Sequence, residues 1–197
     1  MMRKAHDIIC LEAEWLYNSC QKRNRFNLKT EPLLNWLKEY HDCNVIYRHI
    51  LSKADLQHYM DYFNPEKRDF KSYGIVYIAC HGNEAALSLE GNDGDIDLDT
   101  LAEISGNFFS GRTVHFGSCC TLADPEAVKK FKARTGAKLV SGYTKPVDPM
   151  KSAIADMAFF NDLMYIDKRF GIITNEERSS FRKTYQSLLN ELGFVAF

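Results

Sequence analysis

The chain has 197 residues, a length that suits one domain, and 45% of them are apolar, so it can bury a substantial core. Disorder along the whole chain is thereby excluded. With 25 basic and 26 acidic side chains the formal net charge is −1, which argues against a protein that binds nucleic acid or anionic membranes, because both need excess positive charge.

The sequence also argues against a membrane or secreted protein. No apolar run approaches the roughly 20 residues that span a bilayer. The run at 8–11 is too short for a signal-peptide core, and Glu12 and Glu14 follow it closely. The six cysteines lack the spacing of a zinc ribbon and are too sparse for a disulfide scaffold. We therefore expect a cytoplasmic protein with mostly reduced thiols.

Strand and helix patterns alternate along what we expect to be a single domain, residues 1–197. Thr30 is predicted to cap a first helix with Leu33, Leu37 and Tyr40 on one face, and Asp124 to cap a helix that ends at Gly136. Short runs rich in β-branched and aromatic residues predict strands at 7–11, 45–50, 73–79, 113–118 and 139–143.

Two further segments complete the prediction. A hairpin is expected from 86–89 and 95–98, followed by a short helix that Asp99 or Thr100 caps. After the last predicted strand, two helices follow at helical spacing, the second running through Phe181 and Leu192. The whole pattern predicts an α/β fold, a three-layer sandwich with a mostly parallel central sheet and helices on both faces.

Chemistry in such a sheet is expected beyond the carboxyl ends of its strands. The strand at 73–79 leads into Cys80-His81-Gly82, and the strand at 113–118 leads into Cys119-Cys120. If the strands are neighbours, an imidazole and a thiol meet at one edge, where the imidazole can move protons during acyl transfer. The backbone N–H groups of Gly82 and Cys119 could then stabilise an oxyanion.

These motifs resemble the caspase-like cysteine peptidases of clan CD, and most closely their CHAT branch, over about residues 73 to 165. YIACHGNE resembles the family's strand that ends in His-Gly. LSLEGNDGDIDLDTLAEI resembles the hairpin and helix that follow it, and VHFGSCCTL resembles the strand that ends in the nucleophilic cysteine. LVSGYTKPVDPMKSAIADMAFFNDL resembles the family's segment with a Trp-x-Val-x-Asp motif.

The resemblance implies a caspase-hemoglobinase fold, a catalytic dyad of His81 and Cys119, a protein or peptide substrate, and no cofactor or metal. It also implies a substrate pocket, for which the candidates are Glu12, Glu14, Ser118 and Asp148. Two positions depart from the motif, since Lys145 stands in place of its Trp and Pro149 in place of its Asp. The preferred substrate side chain therefore cannot be carried over.

Several alternatives stand beside this interpretation. Cys120 is the rival nucleophile, although alternation along an extended chain should turn it away from the face that Cys119 uses. Glu12, Glu14 and Asp148 could each be an exposed loop acid, Cys80 is expected to pack in the core, and His115 is expected to be a hydrogen-bonded core histidine. Zinc bound by Cys80, His81, Cys119 and Cys120 is disfavoured, because neighbouring residues on a strand point in opposite directions.

Two other functions remain in competition with a peptidase. One is a latent or non-catalytic module that binds, or is activated by, a protein partner, which the departures at Lys145 and Pro149 suggest. The other is a nucleotide-binding α/β protein, which is disfavoured because the sequence contains neither a Walker A pattern nor GxGxxG after a strand.

Overall fold

The centre of the molecule is a six-stranded sheet, seen in a computed structural model that describes residues 6–14, 30–91, 94–165 and 171–197. Its strands lie in the order β2-β1-β3-β7-β8-β9, and every neighbouring pair is parallel except β8 and β9. They are β1 (Ile8–Glu12), β2 (Val45–His49), β3 (Ile75–Ala79), β7 (Thr113–Phe116), β8 (Leu139–Tyr143) and β9 (Phe194–Ala196). A mostly parallel sheet is what the alternating strand and helix patterns predict.

A smaller antiparallel sheet stands after β3. It consists of β4 (His81–Asn83), β5 (Ala86–Ser88) and β6 (Asp95–Asp97), in that order. The sequence predicts the β5–β6 hairpin but not β4, which starts one residue after Cys80 and pairs His81 with Ser88. The three-residue length of β4 and its central glycine leave no periodic signal.

Helices cover both faces of the central sheet. They are α1 (Thr30–His41), α2 (Lys53–Tyr62), α3 (Leu98–Ile104), α4 (Pro125–Thr135), α5 (Pro149–Tyr165), α6 (Gly171–Thr174), α7 (Ser180–Thr184) and α8 (Gln186–Leu192), with a 3₁₀ turn at Arg68–Phe70. Helices α2, α3 and α4 supply one buried apolar cluster, and α1, α5, α6, α7 and α8 supply the other. Strand residues alternate between the two, as Ile78 and Tyr77 of β3 do.

The inward face of α1 differs from the prediction. The helix buries Thr30, Leu34 and Leu37, whereas Leu33 is 36% and Tyr40 70% exposed. Both sets fit helical spacing, so periodicity could not choose between them. The choice comes from a tertiary contact, since the backbone N–H and hydroxyl of Thr30 donate to the buried carboxylate of Glu12.

Two helix ends also differ. Helix α3 is capped by Asp97, whose carboxylate accepts from the Thr100 N–H at 2.6 Å, and not by Asp99 or Thr100. The predicted last helix divides at Tyr185, which has φ −108° and ψ 18°, into α7 and α8. Gly193, at φ 66°, then ends α8 in the left-handed conformation and leads directly into β9, an edge strand that the sequence did not predict.

Predicted caps elsewhere are confirmed. The Asp124 carboxylate accepts from the N–H groups of Glu126 and Ala127 at 2.9 and 3.2 Å, and Gly136, at φ 68°, ends α4. Among the helices of the described residues, none has the length and apolar character that crossing a membrane requires.

Candidate active site

The register of two central strands brings the two candidate reactive residues to one edge. Pairing of β3 with β7 matches each residue with the one 38 positions later, as in Ile75 with Thr113 and Ile78 with Phe116. His81 and Cys119 are separated by the same 38 positions. The backbone bond from Gly117 N–H to the Ile78 carbonyl, at 2.9 Å, continues this pairing past the end of β7.

The direction of strand succession reverses between β1 and β3, next to the β3–β7 pair that leads into His81 and Cys119. The chain passes from β1 outward to β2 and then returns to place β3 on the other side of β1. In open α/β sheets, ligands bind outside the carboxyl ends of the strands at such a switch point. Glu12 is the last residue of β1, His81 lies two residues past the end of β3, and Cys119 lies three residues past the end of β7.

Gly82 lies directly against the turn that carries Cys119. A Cβ atom at this position would lie 2.4 Å from the Cys119 carbonyl oxygen, 2.4 Å from the Thr121 Oγ1 and 2.9 Å from the Ser118 Cβ. Only a glycine therefore lets the backbone approach this closely. The His81-Gly82 segment and the Cys119 turn are thus packed together.

Cys119 is partly exposed at this edge, and His81 is exposed. The Cys119 Sγ accepts a hydrogen bond from the Val147 N–H at 3.4 Å. Among the described residues, the Cys119 N–H has no backbone acceptor, whereas the N–H of Cys120 donates to the Lys145 carbonyl at 3.2 Å. The loop before α5 thus supplies a backbone donor to the Cys119 sulfur, and the same loop holds Cys120 through its backbone N–H.

Cys120 has a different environment. Its backbone adopts φ 55°, a left-handed conformation that costs a non-glycine residue energy and completes the tight turn. Burial, with smaller contributions from Cys119 and Glu84, raises the pKa of the Cys120 thiol. Cys120 therefore forms less thiolate near neutral pH than an ordinary cysteine.

Cys80 packs in the core, as predicted. It is fully buried in the cluster beneath α2, α3 and α4, and burial, together with the nearby Cys119, raises its thiol pKa. In the described part of the chain, no group of three or more His, Cys, Asp or Glu side chains is placed to hold a metal ion.

Glu12 and Glu14, two of the pocket candidates, are buried, with 0% and 2% exposure, so the alternative of exposed loop acids is wrong. The Glu12 carboxylate accepts from Thr30 and from the Tyr47 hydroxyl at 2.7 Å. The Glu14 N–H donates to the Glu90 carboxylate at 2.5 Å. Glu12 thus anchors the start of α1, and Glu14 tethers the end of β1 to the hairpin region.

The other two pocket candidates behave differently from each other. Ser118 is 0% exposed, and its Oγ lies 2.6 Å from the Thr121 Oγ1 within the turn. Asp148 is exposed, but its carboxylate accepts from the N–H groups of Met150 and Lys151 at 3.0 and 2.9 Å. Asp148 therefore caps α5, one residue after the Val147 that contacts the Cys119 sulfur.

A buried polar cluster beneath the edge was missed by the sequence prediction, apart from His115. Asp156 of α5 accepts from the Tyr77 hydroxyl at 2.6 Å and pairs with His115 Nε2 at 2.6 Å, while Tyr143 also donates to it. His115 Nδ1 lies 2.9 Å from Ser141 Oγ, so His115 is the satisfied core histidine that was predicted. The available signal for Asp156 was an acidic residue among the mostly apolar residues of α5.

A groove of about 1100 Å³ lies between α1 and α5, on the face of the sheet that carries the Asp156 cluster. Trp36, Tyr40 and Met150 line it and are 66%, 70% and 71% exposed, while Tyr77 and Asp156 contribute to its floor. Surface side chains of this size are more often found buried, and grouped apolar exposure is typical of interaction surfaces.

Comparison with known proteins gives a family but no activity. The fold and edge define an α/β protein with a mostly parallel sheet and a cysteine and a histidine at adjacent strand ends. The chain belongs to a family of unknown function (DUF6642), which matches residues 5–197. No curated protein matches the chain. Neither finding links it to caspase-like peptidases, so that resemblance rests on the motifs alone.

Proposed function

We propose that the protein is a cysteine endopeptidase of caspase-hemoglobinase-like fold, acting in the cytoplasm on a protein or peptide substrate. The observation that carries the proposal is the shared register of 38 positions, because His81 and Cys119 follow two paired strands at the same offset. The close approach of Gly82 to the Cys119 carbonyl supports it independently.

In this reaction the Cys119 thiolate attacks the substrate carbonyl carbon and forms a tetrahedral oxyanion. Collapse of that intermediate breaks the C–N bond, leaves a thioester on Cys119, and transfers a proton from His81 to the departing amine. Water, deprotonated by His81, then attacks the thioester, which releases the carboxylic acid product and restores the thiol. The Gly82 and Cys119 N–H groups are the proposed oxyanion donors.

Electrostatics suggests which substrates to test first. Asp148 is the exposed acid on the loop that reaches the Cys119 sulfur through Val147, and it would attract a basic substrate side chain. Glu12, Glu14 and Ser118 are buried, so they would shape the pocket from behind and not through direct contact.

The first experiment measures cleavage of reporter peptides that end in Arg, Lys, Asp or Leu. We expect activity in the unmodified protein and in Cys120→Ala, and loss of at least about 100-fold in Cys119→Ala and His81→Ala, as for removal of a nucleophile or its acid–base partner. Equal activity in all four proteins would overturn the assignment of His81 and Cys119 as catalytic residues.

The second experiment measures alkylation by iodoacetamide, followed by mapping of the modified cysteine. Cys119 is expected to react first, because its sulfur accepts the Val147 N–H bond and Cys120 has a raised thiol pKa. Substitution His81→Ala should slow labelling at Cys119 and leave Cys120 unchanged. Preferential labelling of Cys120 would show that Cys119 is not the reactive thiol.

The second candidate function, a non-catalytic module that binds a protein partner, is favoured by the apolar groove between α1 and α5. A partner seated there could alternatively be the activator of a latent enzyme. The labelling experiment separates the two, because a binding-only protein has no His81-dependent reactivity at Cys119. Substitution Trp36→Ser with Tyr40→Ser should leave such reactivity intact.

A further inference from the structure

The buried carboxylate of Asp156 collects donors from three adjacent strands. It is 3% exposed and is contacted by Tyr77 of β3, His115 of β7 and Tyr143 of β8. A carboxylate buried this deeply is costly unless donors surround it. Burial, reinforced by the charge of Asp156, raises the pKa of both tyrosines, so both stay protonated and donate.

The first of these tyrosines abuts the strand that leads into Cys119. A Cβ atom on Gly117 would lie 2.6 Å from the Tyr77 Cε2 and 2.8 Å from its hydroxyl oxygen. The ring of Tyr77, fixed by its bond to Asp156, therefore defines the position of Gly117, two residues before Cys119.

The second tyrosine holds the other side of the same turn. The Tyr143 carbonyl accepts from the Leu122 N–H at 3.1 Å, three residues after Cys119. The helix that carries Asp156 is preceded by the loop whose Val147 N–H reaches the Cys119 sulfur. Asp156 thus links both sides of the turn to the element that contacts the sulfur.

We propose that Asp156 is a positioning residue for Cys119, acting through Tyr77 and Tyr143 to hold the turn and the Val147 donor in place. This inference rests on the proposed function, because it assumes that Cys119 is the reactive thiol. Asp156 makes its hydrogen bonds to Tyr77, His115 and Tyr143, and its effect is on the geometry of the Cys119 turn and of the Val147 donor.

The test is the pH dependence of Cys119 alkylation in Asp156→Asn. An amide in place of the carboxylate turns an N–H₂ group toward one of three donors, so one tyrosine or His115 loses its acceptor. Loosening the turn weakens the Val147 bond to sulfur. The alkylation midpoint should therefore move to higher pH, with about a tenfold slower reaction near pH 7, while Cys120 labelling is unchanged.

Two further variants keep the test decisive. Substitution Tyr77→Phe retains the ring against Gly117 but removes the hydroxyl that donates to Asp156. It should shift the alkylation midpoint in the same direction by a smaller amount. This variant replaces Asp156→Asn in the test if Asp156→Asn does not fold. Substitution Arg112→Met, a buried change at the opposite end of β7, controls for lost stability and should leave the midpoint unchanged.

The outcomes separate the two proposals. If unmodified Cys119 shows no His81-dependent reactivity, the peptidase proposal fails and the positioning role fails with it. If Cys119 is reactive but its midpoint is the same in Asp156→Asn and Tyr77→Phe as in the unmodified protein, or moves equally in Arg112→Met, the positioning role alone is overturned.

Discussion

At Gly82 the neighbouring atoms leave no room for a side chain. Substitution of Gly82 by Ala would place a Cβ 2.4 Å from the Cys119 carbonyl oxygen, which belongs to the backbone and cannot turn aside. Either β4 or the Cys119 turn must then move, since overpacking of this kind costs about 1–3 kcal/mol.

We expect Gly82→Ala to lower the free energy of unfolding by about that amount and to slow alkylation of Cys119 more than tenfold. Urea denaturation and iodoacetamide labelling measure the two effects. Gly171→Ala is the matched control, because a Cβ there meets no atom of the described residues within 4 Å. Labelling of Gly82→Ala at the unmodified rate would contradict the packing argument.

Single residues also show which parts of the candidate site could be predicted from the sequence. His81, Gly82 and Cys119 could be named as candidates because they follow strand-like runs, and strand ends meet at one edge of a parallel sheet. Asp156 could not, because its partners Tyr77, His115 and Tyr143 are far away in the sequence and only the pairing of β3, β7 and β8 brings them together. Asp148 has a local role as the cap of α5 that a search for pocket acids does not consider.

At the scale of elements, the small sheet is held near His81 by Asp95. Its carboxylate accepts from the Asn83 side chain at 2.7 Å and from the Ser88 hydroxyl. These two hydrogen bonds, Ser88 first, lower the pKa of Asp95 below its ordinary 3.8. A lowered folded-state pKa means that the ionised carboxylate stabilises the fold.

The stabilisation by Asp95 should be complete above about pH 4.5 and lost as the pH falls through its folded-state pKa, below 3.8. The free energy of unfolding of Asp95→Asn should therefore lie below that of the unmodified protein at pH 7, and the difference should shrink in acid. Asp95 is exposed, so the difference is modest and falls with added salt. A difference independent of pH would contradict this role.

Elements with strong local signals were predicted well, and those defined by tertiary pairing were not. Strand β8 was predicted at 139–143, where it lies, and α4 has both predicted ends, because a cap, a first-turn proline and a closing glycine act locally. Strands β4 and β9 have three residues each and exist through their partners. The inward face of α1 likewise follows from Glu12, which is distant in sequence.

At the scale of the whole molecule, the buried Arg112 and the proposed chemistry lie at opposite ends of β7. Arg112 precedes β7 and is 2% exposed; its guanidinium donates to the carbonyls of Phe108, Phe63 and Phe70 at 2.9, 2.9 and 3.3 Å. Burial lowers its pKa to about 10, so it remains charged at neutral pH. One side chain thus fastens three carbonyls in the two connections that lead into β3 and β7.

Substitution Arg112→Met should lower the free energy of unfolding by about 2–4 kcal/mol, because two buried carbonyls and one partly buried carbonyl lose a charged donor. Arg134→Met, at an exposed site with one long bond of 3.3 Å to the Asp99 carbonyl, should change it by no more than about 0.5 kcal/mol. Urea denaturation compares them. Equal values for the two variants would show that the buried guanidinium does not fasten the two connections.

The proposed imidazole and thiol are built on separate sheets. Cys119 follows a strand of the six-stranded sheet, whereas His81 is the first residue of the three-stranded one. Leu87 and Ile96 of the lesser sheet are buried in the same apolar cluster as residues of the central strands. The packing of one sheet against the other therefore fixes the gap between nitrogen and sulfur, and a change at that contact should alter folding and chemistry together.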